Sequence, residues 1–346
     1  MKRAGRFFAL LLLAAVMLAA PWAAQTAVVD VKEKLKPPKP VWEGVLSVAV
    51  VPSFPTVNLS GWLGACSRDF EKREGNVLVS IREMTQEGVQ TGAAAGNLPD
   101  ILLFGAGVFS RPQDLFLRMR GAAAGLKPDL ADVGRSGGDR YAVPLAMGGY
   151  GLLGNRQILD SLSWSPNLNM EETLQLLKEK DMAVASPAMP YTNPLAAFQS
   201  RGDAGGVKTS GELPHAKIWP DFALEKKYAF YVATQREVRR MAALQSAGKG
   251  FDTVLLTPEE PVYVDQVLLG GMVDPKFSLK SDDAVYRAEW AGRLFSYLLT
   301  DEMQLGLSQA GLFPVTAVTG VYDADSQMGM IEKSLQGELQ CADAFR

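Results

Sequence analysis

Side chains suited to ligand binding recur in the second half of the sequence. Tyr263 and Asp265 stand two residues apart in a predicted strand, so both point to one face of that strand. Together they would offer an aromatic ring for stacking and a charged hydrogen-bond acceptor. Gln235 stands near the start of a predicted helix. The pattern indicates a binding surface, and the alternative is a solvated strand face with no ligand.

Few residues would support the common forms of catalysis. His215 is the single histidine of 346 residues, which disfavours a histidine metal site or a Ser-His-Asp triad. The stretches GAGVF and GDAGG match neither the dinucleotide-binding pattern nor a P-loop. No nucleophile-elbow or metalloprotease motif occurs. We therefore expect no enzyme activity, no cofactor and no metal. A carboxylate pair acting as acid and base keeps a secreted hydrolase open as an alternative.

Composition and charge are those of an ordinary globular protein. The length of 346 residues suffices for two domains or one large one. Apolar residues make up 47% and charged residues 21% of the chain, which allows a sizeable core. The formal net charge of -3 and the lack of a Lys/Arg stripe give no reason to expect a nucleic-acid partner.

The N-terminal residues predict export. The basic stretch MKRAGR precedes an apolar run over residues 7–24, and no cysteine follows it to carry a lipid. We expect residues 1–27 to be a signal peptide or an N-terminal anchor, because about 18 apolar residues reach the lower limit for spanning a bilayer. Residues 28–41, rich in proline and lysine, are a predicted spacer. We expect the protein to be periplasmic or at the cell surface, and not a lipoprotein. Cleavage of the signal peptide and retention by an uncleaved N-terminal segment both remain open.

The two cysteines, Cys66 and Cys341, lie far apart in the sequence. An exported chain enters a compartment that permits disulfide bonds, so one bridge between them is open. The alternative is two free thiols. Their spacing is not that of metal ligands.

Strand-like and helix-like segments alternate along the chain. Residues 44–54 predict a strand, residues 60–75 a helix that ends at glycine, and residues 101–109 a further strand. This alternation predicts βαβ units, a mostly parallel sheet and an α/β fold. Gly148 and Gly149 interrupt the strand-like stretch YAVPLAMGGYGLLGNR, although glycine packs no side chain inside a strand.

Four segments, taken in order, resemble the extracellular solute-binding proteins of ABC importers, in the branch of the maltose-binding proteins. They are FEKREGNVLVSI, GNLPDILLFGAGVF, YAVPLAMGGYGLLGNRQIL, and VYVDQVLLGGMV followed by AGRLFSYLLTDEMQLGLSQAGLFPV. The resemblance covers most of residues 42–315. It implies a two-lobe periplasmic-binding-protein-like fold, with lobe 1 at 42–147 plus 266–300 and lobe 2 at 148–265 plus 301–346. Two crossing strands that lie side by side would join the lobes.

The resemblance also implies a ligand cleft at the crossing strands. Gly148 and Gly149 would act as a hinge or admit a ligand to the backbone, and a β-bulge inside one domain is the alternative. The loop FGAGVF lacks the charged groups usual in sugar-binding members, and Met147 to Gly149 stand where an acid is common. The implied ligand-binding residues are Phe54, Phe104, Met147, Gly148, Tyr150, Gln235, Tyr263 and Asp265.

The function implied is capture of a small solute, with carbohydrate among the candidates, and its delivery to the membrane permease of an ABC importer. We expect a monomer, because an oligomer interface spanning both lobes would oppose their opening. A sensory or non-transport relative that signals to a membrane partner is the first alternative, and the secreted hydrolase is the second.

Overall fold

The computed structural model describes residues 42–119, 125–199, 209–210, 213–278 and 283–345. By its internal contacts the chain divides into Met1–Glu43 and Gly44–Arg346, and the description below concerns the second unit. The predicted export signal and spacer lie outside the described residues. No described helix is long and apolar enough to cross a membrane.

Strands and helices alternate as expected over the first third of the unit. The strands are β1 Gly44–Val50, β2 Val77–Glu83, β3 Ile101–Gly105, β4 Arg135–Ser136, β5 Asp139–Arg140, β6 Ala142–Met147, β7 Tyr150–Asn155, β8 Val184–Ala185, β9 Pro187–Ala188, β10 Leu213–Pro214, β11 Phe230–Thr234, β12 Thr253–Leu256, β13 Val262–Val264, β14 Val267–Met272 and β15 Leu339–Cys341. The helices are α1 Leu59–Glu74, α2 Gln86–Ala95, α3 Arg156–Ser161, α4 Met170–Glu179, α5 Ala196–Gln199, α6 His215–Ala223, α7 Gln235–Ser246, α8 Ala284–Leu298, α9 Asp301–Leu305 and α10 Gln327–Ser334.

Two larger sheets organise the unit. The first has the order β2-β1-β3-β14-β6 and the second the order β12-β7-β11-β8. In each sheet one strand runs against all the others: β14 in the first and β7 in the second. We call the parts built around these sheets the first lobe and the second lobe. The α/β, mostly parallel, two-lobe fold predicted from the sequence is confirmed.

The two reversed strands are the ones that enter from the other lobe. The chain leaves β6 of the first sheet, passes Gly148 and Gly149, and enters β7 of the second. It returns from β13 through Asp265 and Gln266 into β14. The two crossings are neighbours: Met147 pairs with Val267, and the Gly148 N–H donates to the Gln266 carbonyl at 2.6 Å.

The first lobe is held by an apolar face of helix α1 against the sheet. Asn58 caps the start of α1 through its side chain, and Gly75 ends it in the left-handed conformation. The buried residues Trp62 and Phe70 lie on its inner face. Phe70 meets Trp290 of α8 edge-to-face at 6.2 Å, so the two helices share one core.

The second lobe has its own core. Trp164, Leu177 and Phe230 are buried together, and Trp164 meets Phe230 edge-to-face at 6.3 Å. Helix α4 supplies Leu177 and begins with a capping box between Asn169 and Glu172, which satisfies two backbone N–H groups at its start.

The C-terminal residues contact both lobes. The Trp62 indole N–H donates to the Met303 carbonyl at 3.2 Å, and the Gln304 amide donates to the Leu145 carbonyl at 3.0 Å, so α9 lies on the first lobe. Helix α10 contacts α7 of the second lobe. Strand β15 pairs with β13.

The bridge between Cys66 and Cys341 that the sequence left open is not formed, since both are free thiols. Cys66 is buried in α1, whereas Cys341 lies on β15. Burial raises the pKa of Cys66 to about 12 and that of Cys341 to about 11, so both thiols stay protonated at neutral pH.

Candidate ligand site at the lobe crossings

Gly148 and Gly149 occupy the first crossing because neighbouring atoms come too close for a side chain. A Cβ on Gly148 would lie 2.6 Å from the Gln266 Oε1 and 2.8 Å from the Gln235 Nε2. A Cβ on Gly149 would lie 2.6 Å from the Ile331 Cγ2. Neither glycine has a positive φ, so close approach is what selects glycine here. The register irregularity near this point falls between Leu268 and Leu269 instead. The hinge role of the two glycines stays a prediction.

Tyr150 and Asp265 join the two crossings. The Tyr150 hydroxyl donates to the Asp265 Oδ1 at 2.7 Å, and the Asn193 N–H donates to the Oδ2 at 2.6 Å. Burial, and then the Asp265 charge, raise the Tyr150 pKa well above its ordinary value, so the phenol remains a donor. Both carboxylate oxygens of Asp265 therefore accept hydrogen bonds from the protein itself.

Gln235 connects the lobes at the same place. It is the first residue of α7, directly after β11, and Thr234 and Glu237 form a capping box that fixes this turn. Its Oε1 accepts from the Gly149 N–H at 3.1 Å, and its Nε2 donates to the Pro55 carbonyl at 2.8 Å. Since Pro55 follows β1 of the first lobe, one buried amide spans the crossing and both lobes.

A second interlobe bond lies between Tyr191 and Gln86. The Tyr191 hydroxyl of the second lobe donates to the Gln86 Oε1 of α2 at 2.7 Å. The Gln86 Nε2 in turn donates to the Val108 carbonyl in the loop after β3, at 2.8 Å. The two lobes therefore touch through protein groups on either side of the crossings.

Gln266 is the polar residue of the crossings that sequence reasoning missed. It is fully buried, yet neither its Nε2 nor its Oε1 has a hydrogen-bond partner within the described residues. Its amide lies beside the Tyr150 hydroxyl and opposes the rise in the Tyr150 pKa, but without the geometry of a hydrogen bond. One signal was available: a second polar residue directly after Asp265, inside the apolar run VYVDQVLL.

The structure brings together only part of the predicted site. Gly148, Tyr150, Gln235 and Asp265 converge at the crossings. Phe104 instead is fully buried in a cluster of aromatic rings, stacked on Phe116 at 5.1 Å, because β3 is a central strand.

The remaining predicted residues lie at the edges of this set. Tyr263 packs against the core of the second lobe, and Met147 is buried, with its backbone paired to Phe313. Phe54 is half-buried beside Gly105. Among the described residues, no group of three or more His, Cys, Asp or Glu side chains is placed to hold a metal ion.

Comparison with known proteins gives a fold and not a family. No family model matches the chain, and no curated protein matches it. Solved structures do match. The sugar-binding protein MalE of Xanthomonas citri matches with a TM-score of 0.65 at 16% identity, over 87% of each chain. The GacH receptor of Streptomyces glaucescens, solved unliganded and with acarbose, matches with a TM-score of 0.60 at 14% identity, over 88% of this chain and 89% of that one. The cyclic alpha-maltosyl-1,6-maltose binding protein of Arthrobacter globiformis matches with a TM-score of 0.59 at 11% identity, with the same coverage.

Proposed function

We propose that this chain is an extracytoplasmic solute-binding protein, which captures a small solute between its lobes and delivers it to the permease of an ABC importer. The observation that carries the proposal is the position of Gln235, whose buried amide bonds both the Gly149 backbone at the crossing and Pro55 of the other lobe. The Gln235 amide can make both bonds only when the two lobes are in contact. The shared fold with MalE and the GacH receptor supports the same role.

The mechanism proposed is a shift between open and closed arrangements. In the structure, Gln235 and Tyr191 hold the lobes together through direct bonds to Pro55 and Gln86. A solute that bonds to both lobes would take over these partners and favour the closed form by its differential affinity. The chemistry needed is hydrogen bonding and burial, without any covalent step.

We propose the division into lobes at 42–147 plus 266–300 and 148–265 plus 301–346, with one refinement. The bonds of Met303 and Gln304 to Trp62 and Leu145 favour counting residues 301–310 with the first lobe. The proposed solute contacts are Gly148, Tyr150, Gln235 and Asp265, with Gly148 and Gly149 as the hinge.

The solute class and the cellular setting belong to the same proposal. The neighbours named above bind sugars or sugar-like molecules, so a carbohydrate is the leading candidate solute. We propose a monomer, exported by its N-terminal segment, without a lipid anchor and without enzyme activity. Its partners are a solute and a membrane permease, and not nucleic acid.

A sensory or non-transport relative is the second candidate, and one observation favours it. The Asp265 carboxylate and the Gln235 amide have protein partners without any solute. A chain that holds its own lobes together could present that closed surface to a membrane partner directly. Permease genes beside its gene would favour transport, and a sensor-kinase gene would favour signalling.

The test of the proposed function is a thermal-shift screen of the full chain against sugars, oligopeptides, polyamines and anions. A true solute at 100 times its dissociation constant stabilises the fold by about 2.7 kcal/mol through mass action. We expect one chemical class to raise the melting temperature, and we expect small-angle scattering to report a more compact form with that solute. No shift with any class, in protein that is folded, would contradict solute capture.

A further inference from the structure

Gln266 has a buried side-chain amide that makes no hydrogen bond of standard geometry within the described residues. It lies between β13 and β14, with its amide fully buried and its Nε2 and Oε1 unpaired within the described residues. Its backbone carbonyl accepts from the Gly148 N–H, but any residue at this position would make that bond. Burying an unpaired amide costs free energy that an apolar side chain of equal size avoids. The choice of glutamine therefore points to a partner outside the described residues.

The Gln266 amide does not stand alone. Its Oε1 and the Gln235 Nε2 both approach the point where a Cβ of Gly148 would lie, at 2.6 Å and 2.8 Å. The Tyr150 hydroxyl lies beside it and is held by Asp265. Two amides therefore meet at Gly148 between the two crossings, and the Tyr150 phenol lies beside one of them.

We propose that Gln266 is a solute-contacting residue that sets specificity at the crossings, and that it selects uncharged solutes carrying a hydrogen-bond donor and an acceptor side by side, on the same carbon or on neighbouring carbons. This inference rests on the proposed function. A vicinal diol and a carboxamide both have this arrangement. They can bond the amide N–H and the amide C=O at the same time, which leaves neither atom unpaired.

Charged solutes fit the same amide poorly. A carboxylate offers acceptors only, and an ammonium group offers donors only, so each leaves one atom of the Gln266 amide buried without a partner. A site that hydrogen-bonds a neutral group rejects an analogue lacking that group strongly, because its own polar atoms are then left unpaired. Discrimination against charged solutes therefore comes from the cost of leaving an atom of the Gln266 amide unpaired.

The experiment compares four classes of probe on the full chain by thermal shift and calorimetry. Maltose and myo-inositol represent vicinal diols, nicotinamide represents carboxamides, succinate represents carboxylates, and spermidine represents amines. We expect binding by a diol or a carboxamide, and the probe that binds tells these two apart. Binding by succinate or spermidine in preference to both would overturn the inference.

Two variants separate a binding role from a structural one. Gln266→Met removes the polar atoms at nearly constant volume, so we expect affinity for the best probe to fall at least tenfold while the melting temperature without probe stays equal or rises. Gln175→Met, at an exposed glutamine of α4, is the control and should change neither. Gln266→Glu leaves acceptors only and should also lose affinity.

The outcomes separate a failure of the role of Gln266 from a failure of solute capture as such. If the wild-type protein binds a probe and Gln266→Met binds it equally well, this inference fails and the proposed function stands. A large fall in the melting temperature of Gln266→Met would also overturn it, since the amide would then serve the fold. If the folded wild-type protein binds none of these probes but binds a solute in the wider screen, this inference fails and the proposed function stands; if it binds nothing in either, both fail.

Discussion

The two crossings between the lobes are built from opposite kinds of residue. The first passes through Gly148 and Gly149, which have no side chains, and the second passes through Asp265 and Gln266, which are polar and buried. They lie side by side, joined by the Gly148 bond to the Gln266 backbone. One crossing therefore lets neighbouring side chains approach its backbone closely, and the other supplies hydrogen-bonding groups.

The two glycines of the first crossing also differ in the side chains that surround them. Beside Gly148 the two nearest atoms are the ends of two glutamine side chains, which can rotate away, and only the third, the Gln266 Cβ at 2.9 Å, is fixed to the backbone. Beside Gly149 they belong to Ile331 and Leu335, which are core residues of α10 and its C-terminal end. Space at the crossing is thus bounded by movable polar groups on one side and by fixed apolar packing on the other.

Removing the carboxylate from the polar crossing should have the largest effect. Asp265→Ala leaves the buried Tyr150 hydroxyl and the partly buried Asn193 N–H without their acceptor, so we expect a loss of about 3 kcal/mol in the free energy of unfolding. Urea denaturation measures it. Asp343→Ala, at an exposed position, is the control. A loss of unfolding free energy no larger than that of Asp343→Ala would contradict the expected role of the polar crossing.

Adding side chains to the glycine crossing should give different results at adjacent positions. Gly149→Val would overpack the contact with Ile331, and we expect a loss of about 2 kcal/mol in the free energy of unfolding. Gly148→Ala should cost less, because Gln235 and Gln266 can move, but it should abolish solute binding. Thermal unfolding with and without solute checks both variants. Equal losses of stability at the two positions would contradict this distinction.

Shortening the reach of Gln235 should separate the lobes. Gln235→Ala removes the bonds to the Gly149 N–H and the Pro55 carbonyl, so we expect a loss of about 1.5 kcal/mol and a larger radius of gyration without solute. Small-angle scattering measures the second effect. Gln245→Ala, on the same helix but bonded to Phe251 and Thr253 of its own lobe, is the control and should leave the radius unchanged.

Tyr191→Phe should have the smallest effect. It removes one partly exposed interlobe bond, to Gln86, and we expect a loss of about 0.5–1 kcal/mol in the closed form. Hydrogen exchange at the backbone of α2 and of the loop 189–193 measures it. Faster exchange confined to these segments is the expected result, whereas faster exchange throughout both lobes would show that this bond supports the whole fold.

Much of the fold could be predicted because local patterns decide it. The strand at residues 44–50, the helix that ends at Gly75, and the step from β11 into α7 at Gln235 all follow from periodicity and capping residues. After Asp252 the structure has three strands, β12, β13 and β14. All three pair with strands distant in sequence, which no local pattern reveals.

The site was predicted less well, for a physical reason. Asp265 was predicted because it shares a strand face with Tyr263, and Gln235 because it stands near the start of a predicted helix, and the structure brings both to the crossings. Phe104 was expected at the cleft, but it fills the core, since an aromatic ring after a strand suits either place equally well. Gln266 was missed because its meaning depends on what lies opposite, namely Gly148 and Tyr150, more than 100 positions earlier in the chain.

The strand β14 has a consequence for the order in which the lobes can form. It lies between β3 and β6, so the first sheet stays incomplete until residue 272 has been synthesised. The four strands of the second sheet come from one continuous stretch, residues 150–256. A chain emerging from its N-terminus can therefore assemble the second sheet first, while β1 to β3 wait with an open edge. Of the two sheets, the one that begins the sequence is the last to finish, and its final strand arrives with Asp265 and Gln266 directly ahead of it.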